Sequence, residues 1–136
     1  MTTRAIIEEI MAMWCVQDVE RTVDCMSEDA VYQLYISENA LPYGGQTRGR
    51  EAIRDMFYTM LTDWNYLNTT VTSLTTEGST GRAQVTFRYH HIKTGGVIDG
   101  SLRFVFEVKD GFVTRIDEYH DQAKFEAFLK FAESYA

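Results

Sequence analysis

Apolar residues between Thr3 and Val16 recur at helical spacing, and Ile6, Ile7, Ile10, Met11, Met13 and Trp14 form one stripe that predicts a first helix. Asp18 is placed to cap a short second helix with Val19, Val23 and Met26 on one face. Ala30 to Ile36 is rich in β-branched and aromatic residues and reads as a strand. Glu38 to Thr47, with Pro42 and the Gly44-Gly45 pair, reads as a loop that can form one lip of a pocket. Helical period returns from Gly49 to Thr62, where Ala52, Ile53, Met56, Phe57, Met60 and Leu61 share a side. After Trp64 the pattern alternates with period two, predicting strands at Tyr66–Thr76, Arg82–Lys93, Val97–Lys109 and Phe112–His120. The short glycine-bearing turns between them favour antiparallel hairpins and a meander. Asp121 is placed to cap a last helix from about Gln122, which buries Phe125, Phe128, Leu129 and Ala132. The expected fold class is α+β: a mostly antiparallel sheet packed on three N-terminal helices, with a C-terminal helix.

With 136 residues and 45% apolar content, the chain is expected to be one domain spanning 1–136, with no repeats or linkers to divide it. A formal charge of −7 disfavours nucleic acid as a partner, since a phosphate-tracking surface needs clustered Lys and Arg. Arg4, Glu8 and Glu9 interrupt any leader-like apolar core, and no run of about twenty apolar residues follows, so no membrane partner and a cytoplasmic location are expected. Cys15 and Cys25 lack metal-ligand spacing and read as reduced core thiols. No phosphate-cradling glycine loop, serine-hydrolase elbow or Cys-His nucleophile pattern is present, so no cofactor is indicated.

Chemistry concentrates in Gly111–Asp121, GFVTRIDEYHD, which sets Glu118 and His120 at the end of a predicted strand. Arg88 and His90 lie on the polar side of the Arg82–Lys93 strand, opposite Ala83, Val85, Phe87 and Tyr89. If that polar side faces inward, Arg88 and His90 meet Glu118 and His120, with Phe104 and Phe106 as apolar wall. Glu118 is then a general base, His90 a proton donor or relay, and Arg88 or Tyr32 a stabiliser of an enolate or alkoxide oxygen. The alternative is an unreactive cross-strand ion pair between Arg88 and Glu118. Trp14, Leu34, Met56, Met60, Trp64 and His120 complete the expected substrate-binding wall, although Trp14, Met56, Met60 and Trp64 with Tyr66 suit a plain core equally. No metal is expected: adjacent strand histidines point to opposite faces, so at most His90 and His120 can share an ion with Glu118.

The element order, with Ser27-Glu28-Asp29-Ala30, Gly49-Arg50-Glu51-Ala52-Ile53, Lys109-Asp110-Gly111 and Tyr119-His120-Asp121, resembles the nuclear transport factor 2-like superfamily over nearly the whole chain. The resemblance implies a curved sheet wrapped as a cone around a mostly apolar cavity, and frequent homodimerisation through the outer sheet face. Ketosteroid isomerase groups would fall near Leu34, Ile10 and Leu102–Phe104, where the required side chains are absent. The Tyr-Gln-Asn and Arg-x-Asp segments of limonene-epoxide hydrolase are similar to Tyr32-Gln33-Leu34 and Arg88-Tyr89-His90, with Leu34 and His90 as departures and Glu118 in place of the late-strand aspartate. In SnoaL-like polyketide cyclases, the acid that takes a proton from an activated carbon also falls on Glu118. The resemblance therefore implies acid–base isomerase, cyclase or lyase chemistry on a small apolar or carbonyl-bearing molecule. Epoxide hydrolysis and non-catalytic ligand or subunit binding are the alternatives.

Overall fold

The computed structural model describes residues 1–134, so the last two residues of the expected domain lie outside the described residues. In order, the elements are α1 (Thr3–Cys15), α2 (Val19–Asp24), β1 (Met26–Tyr35), β2 (Gly45–Arg48), α3 (Arg50–Asp63), β3 (Trp64–Glu77), β4 (Thr80–His91), β5 (Val97–Lys109), β6 (Phe112–Tyr119) and α4 (Gln122–Ser134). Three helices start at side-chain caps: Thr2 accepts from the Ala5 N–H, Asp18 from Arg21 and Asp121 from Lys124. At α3 a glycine serves instead. Gly49 sits at φ 93°, a region glycine enters without a Cβ clash, and its N–H reaches the Ala30 carbonyl at 2.7 Å, which ties the helix start to β1.

Two boundaries differ from the sequence expectation. Met26 was expected on a face of α2, but it opens β1, fully buried and paired with Val113. The Cys25 carbonyl already accepts from the Val113 N–H, so the chain has joined the sheet there. The expected loop ends in β2, a four-residue edge strand whose polar residues give no apolar alternation, but which pairs antiparallel with Val31–Leu34.

The six strands are ordered β2-β1-β6-β5-β4-β3, and only β1 and β6 run parallel. The meander β3–β6 forms as expected, and the parallel pairing inserts β1 beside β6, with Leu34 next to Glu118. Helices fill the concave side: Ile7, Ile53, Phe57, Val85, Phe106 and Val113 are nearly inaccessible. The approach is close, since a Cβ at Gly81 of β4 would lie 2.1 Å from the Ile7 Cδ1 of α1. On α4, Phe125 and Leu129 are buried and the Phe125 ring lies 5.4 Å from that of Trp64. Cys15 and Cys25 are half-buried and form no disulfide. Among the described residues, no helix is long and apolar enough to cross a membrane.

Candidate active site

Sheet register decides which side chains meet. Glu118 pairs with Phe104 of β5, and Phe104 with Ala83 of β4, so the inward face of β4 is its apolar side: Ala83, Val85, Phe87 and Tyr89. Arg88 and His90 therefore point away from Glu118, against the expectation that they would join it. Arg88 pairs with Asp99 at 3.7 Å, with its side chain 56% exposed, and His90 Nδ1 meets the Asn65 amide at 3.0 Å. The alternation explains the outcome: burying the other face would strip a guanidinium of water while exposing four apolar side chains. Neither the convergent group nor the Arg88–Glu118 ion pair forms, and the trio His90, His120 and Glu118 is divided between faces. Asp117, on the outer face, accepts from Arg115 at 2.9 and 3.0 Å and from the Tyr35 hydroxyl at 3.0 Å.

Glu118 itself lies inside, 4% exposed, among apolar neighbours. Its carboxylate has two partners. The Tyr32 hydroxyl, from β1, donates to Oε1, and His120 Nε2 lies 2.5 Å from Oε2. With Glu118 ionised, the Nε2–H tautomer of His120 is the donor. Burial first, and then the Glu118 charge, hold Tyr32 well above the ordinary phenol range, so it remains an O–H donor at any working pH. His120 is fixed between ring edges, 5.5 Å from Phe87 and 5.1 Å from Phe125. A carboxylate offers about four lone-pair sites, so these two contacts leave room for a substrate proton.

Glu118 and His120 line a cavity of about 20 Å³ with Leu34, Met60, Trp64 and Phe125, closed further by Leu41 and Tyr43 from the loop before β2. That space holds about one water. Tyr43 accepts the Trp64 indole N–H at 2.9 Å. Four expected wall residues are elsewhere: Trp14, Phe104 and Phe106 line a second cavity of about 20 Å³ across Tyr32, and Met56 is buried beside Thr47. The Glu118 cavity includes two tyrosines whose chemistry the sequence reading passed over, Tyr66 and Tyr89. Their signal was the apolar parity of β4, which puts Tyr89 inside, and the pairing that sets Tyr66 beside it. Larger hollows of about 370 and 440 Å³ are open surface grooves along α1, away from Glu118.

No curated protein matches the chain by sequence. Solved structures match closely in shape. A nuclear transport factor 2-like protein of unknown function from Burkholderia pseudomallei has a TM-score of 0.82 at 12% identity, over 95% of this chain and 98% of that chain. A candidate isomerase from Bacillus subtilis gives 0.80 at 20% identity, over 100% and 98%. An LEH-like epoxide hydrolase from M. tuberculosis gives 0.74 at 15% identity, over 97% and 92%. At these identities the likeness shows the α+β fold with its curved, mostly antiparallel sheet. A family model describing a SnoaL-like domain matches residues 7–116. That match spans most of the helices and strands placed above, and the chain belongs to the SnoaL-like domain family.

Proposed function

We propose that this protein is an acid–base isomerase, cyclase or lyase for a small carbonyl-bearing molecule, acting without a cofactor through Glu118. The observation that carries the reading is the carboxylate itself: buried in an apolar wall, held by Tyr32 and His120, and open to a cavity. Glu118 takes a proton from the carbon beside the carbonyl, so a C–H bond breaks, an O–H bond forms on the carboxyl and an enolate results. Return of the proton to another carbon gives an isomer, and attack of the enolate on an electrophile in the same molecule gives a ring. Tyr32 fixes the carboxylate while His120 shares or relays the proton. Trp64, Leu34, Met60 and Phe125 supply the apolar contact surface.

A second reading is favoured by the water-sized cavity beside Glu118, which suits activation of a water for epoxide opening. Leu34, next to Glu118, offers that water no polar partner. The test is deuterium exchange at the α-carbons of a panel of small ketones in heavy water, followed by proton NMR, with limonene oxide included and monitored for diol. Enzyme-accelerated exchange should fall by roughly a hundredfold or more in Glu118→Gln. Exchange unchanged by that substitution removes Glu118 from the mechanism, and diol without exchange favours the hydrolase.

A further inference from the structure

Two phenols beside Glu118 have no task in the mechanism above. Tyr66 of β3 and Tyr89 of β4 are register partners. Their rings stack with centroids 4.4 Å apart and planes inclined by 20°. Tyr89 is buried and Tyr66 half-buried, and both line the cavity with Glu118 and His120. Tyr32 has a carboxylate partner and Tyr43 an indole partner, but among the described residues no hydrogen bond engages the hydroxyl of Tyr66 or Tyr89. Two donors without a protein partner, at the wall of a cavity that Glu118 also lines, are placed to meet an acceptor inside that cavity.

We propose that Tyr66 and Tyr89 together bind the oxygen of the ligand, so that the site selects molecules carrying a carbonyl over hydrocarbons of the same shape. The proposal rests on the acid–base reading and adds to it the residues that bind the ligand's oxygen. Tyr66 and Tyr89 stand on β3 and β4 and Glu118 on β6, with β5 between. A ketone whose oxygen meets the phenols is thereby placed with its α-carbon toward the base. As the C–H bond breaks, charge moves onto that oxygen, where two O–H donors hold it. Burial, with the Glu118 charge and, at Tyr66, the neighbouring phenol, keeps both well above the ordinary value of 10, so both stay protonated as donors. The cavity, at about 20 Å³, is the size of about one water, so a ketone is accommodated by displacement of the lining side chains around it.

Fluorine NMR titrations test this with 4-fluoroacetophenone and its hydrocarbon analogue 1-fluoro-4-isopropylbenzene, on the wild-type protein and on Tyr66→Phe and Tyr89→Phe. The ketone is expected to bind roughly tenfold tighter than the hydrocarbon, as one or two hydrogen bonds imply. Each Phe variant should lose most of that preference by weakening the ketone alone. Equal affinity for the two probes, a preference that survives in both variants, or binding of neither probe overturns the proposal. The acid–base reading fails separately: exchange that persists in Glu118→Gln rejects it, whereas the ketone preference is decided by the tyrosine variants.

Discussion

A buried carboxylate is tolerated at Glu118 because both of its oxygens have partners, and the network is sensitive to loss of either one. Tyr32→Phe keeps the ring against Phe57, 5.5 Å away, and removes only the donor to Oε1. It should destabilise the fold by about 1–3 kcal/mol, measured by urea unfolding, because a buried carboxyl oxygen is left without a partner. Arg88→Ala and His90→Ala touch the outer face, where the Arg88–Asp99 pair is largely in water. Each should change stability by less than about 0.5 kcal/mol and leave ketone exchange unaltered. Exchange lost in either variant to the extent seen in Glu118→Gln would show that the inward face of β4 is wrongly assigned.

At the scale of elements, His91 joins the end of β4 to its surroundings. Its ring lies 4.6 Å from Trp64 and 6.4 Å from Phe128 of α4, and Nδ1 meets the Thr94 hydroxyl at 2.7 Å. Burial lowers its pKa from the ordinary 6.5, outweighing the opposing pull of Asp63 and Glu133, while Lys93 and His90 push the same way as burial. The unfolded chain therefore binds a proton that the native state refuses, and this contribution to stability is present above pH 6.5 and lost as pH falls through the lowered native value. Urea midpoints compared at about pH 7.5 and about pH 5.5 should drop less in His91→Phe than in the wild-type protein, and equal drops would exclude His91 as the cause. The same hairpin shows what the sequence can convey. Strands β3 to β6 were legible because alternation and glycine turns mark them, Glu118 and His120 were legible as ionisable groups at a strand end, and Tyr32 came from the resemblance to a Tyr-Gln-Asn segment rather than from its position. Arg88 and His90 were misplaced because parity within a strand does not carry across a hairpin: Arg88 faces Asp99 while Phe104 faces Glu118, so even numbers share a face in one pair of strands and not in the next. Tyr66 read as plain core and Tyr89 as part of the β4 face opposite Arg88 and His90, since a phenol at an apolar position differs from core only by what its hydroxyl meets.

For the molecule as a whole, the phenols that equip the cavity also set its response to alkali. Of eight tyrosines, Tyr32, Tyr66 and Tyr89 are held well above 10 chiefly by burial, and Tyr43 is raised for the same first reason. Unfolding frees each to ionise near 10, so above that pH the native state holds more protons than the unfolded one. Their contribution is fully present below pH 10 and declines as pH rises toward the native values. These phenols should thus ionise only as the fold is lost: phenolate absorbance should rise first from accessible tyrosines, then in a cooperative step that coincides with loss of the circular dichroism of helices and sheet. Tyr35 is a separate case on the outer face, pushed up to about 12 first by its contact with Tyr119 and then by burial and Asp117, so it titrates late without belonging to the interior. Repeating the titration on Tyr35→Phe removes that contribution and should leave the cooperative step intact, whereas Tyr66→Phe and Tyr89→Phe should each diminish it. A single smooth titration near pH 10 with unchanged dichroism would mean that the phenols are open to water in the native state, and they would then be unsuited to hold a ligand oxygen against solvent.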